Sequence, residues 1–270
     1  YFTVRDEAFS EQVDAWLERG VVAEWKGHIV ALGEHANLGE PGPRRRLVGV
    51  PGMNAMARDL ARDLQVETGQ AVSDLRRGTR GWHVIRDEDE ESGPFDAVIV
   101  TLPPAQALPM LKSAPDLARQ VRRVRMRPCW AVMAAFAGRV DVDFDGAFVN
   151  SGPLSWVARD SSKPGRPQEE CWVLHAGPAW SAEQLDSEIV DVERQLLEAF
   201  ATATGLQQLP IPQHLDAMRW RFAIPEEPLP ERSYLDPAAG IGIAGDWCAG
   251  PRVEGAWLSG TDLARRLLEQ

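Results

Sequence analysis

Apolar positions along the chain switch between two periods, and the switches mark its elements. Residues 9–19 carry Phe9, Val13, Trp16 and Leu17 at helical spacing, with Gly20 as a stop, which predicts a helix. Two short runs, 21–25 and 28–32, predict strands, and the Gly- and Pro-rich stretch 38–46 predicts a loop. Residues 51–64 predict a helix capped by Asn54, with Met56, Leu60 and Leu64 on one face. Residues 70–78 and 80–93 alternate like two antiparallel strands joined at Gly78, and the acidic cluster Asp87–Glu91 reads as a solvated turn. Residues 95–104 form a continuous apolar run closed by Pro103 and Pro104, the pattern of a strand buried on both faces.

From 106 to 232 the character changes. Residues 106–127 are helical in part and carry Arg119, Arg122, Arg123, Arg125 and Arg127, a basic stretch that reads as a solvated helix face. Residues 129–138 and 171–180 are strand-like, and 188–205 form an amphipathic helix ending at Gly205. The last thirty residues run strand, turn, helix. Ile241 and Ile243 alternate, a helix starts near 252–254, and Ala256, Leu263, Ala264, Leu267 and Leu268 recur at helical spacing. Gly255 and Gly260 leave that helix a smooth face for close approach.

Composition narrows the reading. A formal net charge of −11 argues against nucleic acid as a partner, since phosphate binding calls for a basic face. There is no apolar run of about 18 residues and no signal-peptide pattern, so the sequence predicts no membrane span and a cytoplasmic location. Cys129, Cys171 and Cys248 lie far apart with no metal-ligand spacing, which predicts reduced thiols and no metal site.

Gly240, Gly242 and Gly245 satisfy G-x-G-x-x-G, the dinucleotide-binding fingerprint, but that motif opens a strand–helix–strand unit and here only one helix follows. What the segment does offer is a carboxylate, Asp246, directly after a strand, and a helix N-terminus near 252–254 suited to negative charge.

These residues carry a resemblance. The segment Ala244-Gly245-Asp246-Trp247 followed by Arg252-Val253-Glu254-Gly255-Ala256 resembles the C-terminal flavin-binding motif of the FAD-dependent amine oxidase and desaturase superfamily. Residues 1–9, 48–61, 153–166, 172–181 and 218–225 are similar to segments of the renalase-like members. The resemblance implies a mixed α/β fold with a Rossmann-like flavin domain (1–8, 47–105 and 233–270) and an interleaved substrate domain (9–46 and 106–232). It also implies that roughly fifty residues bearing the true fingerprint precede Tyr1, so that the flavin domain here is incomplete at its N-terminus.

The same resemblance implies a non-covalent FAD. It points to Gly245 and Asp246 near the ribityl or pyrophosphate, and to Arg252, Val253, Glu254 and Gly255 at the helix start by the ring. Val72 matches the position whose backbone pairs with adenine. Thr101, Leu102 and Pro103 end the strand under the cofactor, and Tyr1 lies by the ring. The implied reaction is oxidation of misreduced dihydronicotinamide dinucleotides, with O2 as acceptor and H2O2 as product. For the substrate the candidates are Trp156, His175, Trp180, Trp220 and Arg221, because ten tryptophans against two tyrosines supply indoles that can stack on a pyridine ring. Two alternatives stand beside this. One is an amine oxidase, whose paired tyrosines are hard to assemble from Tyr1 and Tyr234. The other is a chain that cannot hold FAD unaided.

Overall fold

The computed structural model describes residues 1–33, 45–86 and 90–269, arranged in two compact units. The first comprises Tyr1–Leu60 and Arg127–Ala223. Its helix α1, Glu7–Glu18, starts where Asp6 Oδ1 accepts from the Ala8 and Phe9 N–H groups, and it buries Phe9, Val13 and Trp16. Strand β1, Val22–Glu24, pairs antiparallel with β3, Leu47–Gly49.

A six-stranded sheet forms the body of this unit. Its order is β12 (Pro212–Pro225), β8 (Met126–Phe136), β11 (Glu170–Ala176), β10 (Leu154–Arg159), β9 (Gly146–Val149) and β2 (Ile29–Leu32). The strand expected over 171–180 ends at Ala176, and helix α5, Pro178–Glu183, follows it. Helix α6, Ile189–Thr204, lays Val192, Leu196 and Phe200 against one face, where Trp130, Val132, Trp172 and Leu174 are buried. The four-residue spacing of those three side chains is one helical stripe. Gly205 ends the helix at φ 71°, a conformation that favours glycine.

Arg159 is buried at the end of β10. Its Nε stands 3.3 Å from Glu170 Oε1, which also accepts from Val140 N and Trp172 Nε1. Its guanidinium lies 5.0 Å from the Trp172 ring centre.

The second unit comprises Ala61–Met126 and Ile224–Gln270. Strands β4 (Val72–Gly78), β5 (Gly81–Arg86) and β6 (Glu91–Phe95) form an antiparallel sheet in which Gly78 pairs with Gly81, the hairpin that alternation predicts. A second sheet has the order β13 (Tyr234–Asp236), β14 (Ile241–Ile243), β7 (Val98–Val100), with β14 and β7 parallel. Around them lie α3 (Pro104–Ala107), a 3-10 turn at Leu108–Leu111, α4 (Pro115–Val121), α7 (Asp246–Ala249) and α8 (Val253–Leu268). Trp82, Leu111, Val121, Ile241, Ile243 and Trp247 share one core.

Several expectations need correction. The predicted helix 51–64 is only α2, Ala55–Leu60, and Leu60 and Leu64 are exposed. A leucine stripe without a surface to cover does not sustain a short helix. The run 95–104 is not one strand buried on both faces. Phe95 ends β6, β7 has three residues, and Ile99 is 45% exposed. In α8 the buried residues are Glu254, Gly255, Ser259 and Leu263, while Leu268 is 86% exposed.

The loop expected at 38–46 falls on 38–44 outside the described residues, as do 87–89 of the acidic cluster. The units also cut the chain differently from the expected domains. Residues 1–8 and 47–60 belong to the first unit, where Phe2 bridges Leu47 of β3, and 106–126 pack in the second core through Leu111, Leu117 and Val121.

Candidate functional site

In the second unit, parallel strands β7 and β14 end side by side, with Val100 opposite Ile243 and Ala244 N–H donating to Val100 O at 3.3 Å. The chain leaves them at Thr101-Leu102-Pro103 and at Gly245-Asp246, so two of the predicted segments meet at the carboxyl ends of parallel strands. Ligands of open α/β sheets bind there.

Helix α8 begins at the same place. Its N-cap, Arg252, is extended (φ −146°, ψ 160°), and its side chain makes no capping hydrogen bond. The N–H groups of a first helical turn and the helix dipole favour an anionic ligand atom. The turn before the helix is packed so tightly across Gly255 that a Cβ there would meet Gly250 O at 2.0 Å. Arg252, Val253, Glu254 and Gly255 are thus brought together with Gly245 and Asp246.

Asp246 opens α7, and burial raises its carboxyl above the ordinary range, partly offset by backbone N–H groups. A half-desolvated carboxylate gains by accepting from hydroxyls, the donor that a ribityl chain offers. Ser259, which pattern reading did not single out, fixes this turn. Its Oγ accepts from Gly245 N at 2.9 Å and donates to Arg232 O at 2.6 Å. Burial pushes the Cys248 thiol up to about 12, so it is protonated and a poor nucleophile for covalent attachment. Val72 begins β4, opposite Arg86, and is 40% exposed.

The glycines of the apparent fingerprint do three separate things. Gly240 turns at φ 66°, Gly242 sits inside β14 where a Cβ would strike Leu263, and Gly245 carries the Trp247 indole against it. They form no phosphate loop. The anion-favouring helix start, the half-buried carboxylate and the tight glycine turn do suit part of a flavin dinucleotide.

In the first unit, the sheet face opposite α6 carries an aromatic group. Trp156 and His175 are register partners on β10 and β11. Trp156 packs on Phe148 (centroids 4.7 Å), Tyr1 (5.3 Å) and Trp25 (6.5 Å). Trp220 lies on this same face by strand alternation from buried Ala217, and is 55% exposed. Trp180 and Arg221 are not brought to it. Trp180 packs against the α6-side core, and Arg221 pairs with Asp186 at 2.9 Å.

Burial, with the nearby Lys163 charge, pushes the His175 imidazole down to about 4. It is neutral at pH 7 and a weak base. Pattern reading also missed the charges beside this wall. Lys163 Nζ lies 5.5 Å from the Trp25 ring centre and 2.6 Å from Asp160 Oδ1, and Arg166 Nε lies 3.2 Å from Asp160 Oδ2. Arg46 sits 5.7 Å from the Tyr1 ring centre. Arg166 Nη1 also donates to the carbonyls of Gly49 and Pro51, tying residues 49–51 to the loop after β10.

Among the described residues no group of three or more His, Cys, Asp or Glu could hold a metal, and no helix is long and apolar enough to cross a membrane.

The sequence profile of the family described as flavin containing amine oxidoreductase matches residues 2–268. Among solved structures, the chain is similar to one assigned as a protoporphyrinogen oxidase from Exiguobacterium sp. 255-15, with a TM-score of 0.64 and 15% identity over 86% of this chain and 54% of that one. It is also similar to cyclohexylamine oxidase from Brevibacterium oxydans IH-35A, with a TM-score of 0.57 and 14% identity over 73% of this chain and 48% of the other. These likenesses show the fold, and the chain spans about half the length of both proteins.

Proposed function

Because the chain belongs to the flavin containing amine oxidoreductase family, we propose that it serves a flavin-dependent oxidase whose substrate is a misreduced dihydronicotinamide dinucleotide. The overall change is dihydropyridine plus O2 plus a proton giving pyridinium plus H2O2. The observation that supports this substrate class is the aromatic wall of Tyr1, Trp25, Trp156 and Phe148 with cations on its faces. Lys163 and Arg166 share one carboxylate, Asp160, so this part of the wall keeps a net positive charge. Such a field draws a polyanionic dinucleotide with a planar ring and repels a protonated amine.

The residues needed for such a reaction are few. A bound flavin supplies the two-electron acceptor and the return of electrons to O2. Aromatisation drives the loss from the dihydropyridine, so no side chain has to remove a proton. That is consistent with a neutral, weakly basic His175 as the titratable group on the wall. The wall's work is to stack the ring, exclude water and hold it in one orientation. In the second unit, Asp246 and the α8 start would hold the flavin's hydroxyls and negative charge.

Oxidation of amines is the second reading, favoured by the likeness to cyclohexylamine oxidase. A cage of two tyrosines would have to come from Tyr1 and Tyr234, which belong to separate units. One experiment separates the readings. The chain is mixed with FAD, desalted, and titrated anaerobically while the flavin absorbance is followed. Bleaching by dihydronicotinamide isomers and not by amines is expected. Bleaching by amines alone overturns the substrate class, and absence of retained flavin means that the 270 residues do not hold the cofactor unaided.

A further inference from the structure

A second opening lies in the first unit, next to the same charge cluster. It is a cavity of about 390 Å³, lined by Met53, Met133, Val173, Asp160, Arg166 and His214 among others. Its volume falls in the range of small-molecule sites, roughly 300–1,000 Å³. Val173 and Met133 are register partners on β11 and β8 and give the pocket an apolar floor. Met53 and Met133 are both part-exposed along it, and methionine side chains pack well on aromatic rings. One end is polar. There Arg166, its side chain only 8% exposed, shares Asp160 with Lys163, whose side chain is 9% exposed. Among the described residues Asp160 is the one carboxylate within ion-pair distance of either cation. Two enclosed cations and one anion leave a positive charge that burial makes costly unless an anion joins it.

The two oxygens of Asp160 connect this pocket to the aromatic wall, since Oδ1 meets Lys163 over Trp25 and Oδ2 meets Arg166 at the pocket. The order along this surface is therefore ring-stacking wall, cationic pair, apolar pocket. A dinucleotide has the matching order of planar ring, two phosphates, planar ring. We propose that the Met53–Met133 pocket receives the purine nucleoside half of the dinucleotide, with its phosphates against Lys163 and Arg166. This rests on the dinucleotide reading above and extends it to the half of the substrate that does not react.

The test uses ADP-ribose, which carries the purine and both phosphates but no nicotinamide. The full chain is titrated with it by calorimetry, alongside Met133→Trp, which fills the pocket without touching the ion pairs. Val173→Phe is the second variant, and melting curves check that each folds. Saturable binding by the unsubstituted chain, weakened about tenfold or more in both variants, is expected. Equal affinity in chain and variants overturns the proposal, because ADP-ribose would then be bound elsewhere, such as at the flavin's own adenosine site. No binding at all overturns it too.

Oxidation kinetics separate this from the parent reading. If the flavin-loaded protein oxidises dihydronicotinamide mononucleotide and dinucleotide isomers with the same KM, the pocket assignment falls and the reaction stands. If neither is oxidised, the reaction falls whatever ADP-ribose does.

Discussion

Gly255 lies so close to the carbonyl of Gly250 that a Cβ on it would stand 2.0 Å from the oxygen, with Gly250 C at 3.0 Å. The obstacle is backbone, so no side chain can swing aside. Gly255→Ala must push the turn off α8, at a cost of about 1–3 kcal/mol or more, and should sharply reduce flavin retention after desalting. Gly260→Ala on the same helix meets open space and should be neutral or stabilise by up to about 1 kcal/mol through helix propensity. Urea melts of the two variants check the contrast.

His175 gives the fold a pH dependence of known sign. Its imidazole falls from the ordinary 6.5 to about 4 in the folded chain, so the unfolded chain binds the proton first as pH drops. Stability should therefore decline between about pH 6.5 and 4 and be flat above that window. At about 1.4 kcal/mol per pH unit the full effect is roughly 3 kcal/mol. His175→Gln should flatten that part of the curve in denaturant melts at stepped pH. An unchanged slope would mean that folding does not lower the His175 pKa.

Glu170 accepts from the Val140 N–H and the Trp172 indole and forms an ion pair with the Arg159 guanidinium. Removing it leaves the buried Arg159 with only the more distant Asp145, at 3.9 Å, as an ion partner. Glu170→Ala should cost about 3–5 kcal/mol, and Glu170→Gln, which keeps an acceptor for the two N–H groups, should cost less. Chemical denaturation of the pair measures the difference.

Lys163 should act on polyanionic substrates through its charge. Lys163→Met is expected to raise KM for a dihydronicotinamide dinucleotide about tenfold at low ionic strength, with a smaller rise near 0.5 M salt where screening shortens the reach of the charge. A rise of the same size at all salt concentrations would mean that the lysine acts by packing on Trp25 instead.

The parts of the fold that the sequence made legible are those whose partner is a broad apolar surface. Val192, Leu196 and Phe200 repeat at four-residue spacing because one sheet face receives them all, and Gly205 stops the helix through its own backbone freedom. Helix α8 was harder to read because its buried face is built from Glu254, Gly255 and Ser259, chosen for hydrogen bonding and close approach. Hydropathy assigns such residues to water. The aromatic wall was half visible. Trp156 and His175 stood out, but Tyr1, Trp25 and Phe148 reach them from distant segments, and no local period encodes that meeting. Asp160, Lys163 and Arg166 share a seven-residue stretch whose charges look solvated in sequence and are mostly enclosed in the fold.

Alternation along β11 separates two kinds of selection. Trp172, Leu174 and Ala176 point to the core beneath α6, while Cys171, Val173 and His175 point to the other face. Neighbouring codons thus answer to different demands, one set to the core and the next to the face that carries the aromatic wall. A lineage can remodel what this face presents by changing every second residue, while the core that keeps the sheet intact inherits no damage from the experiment.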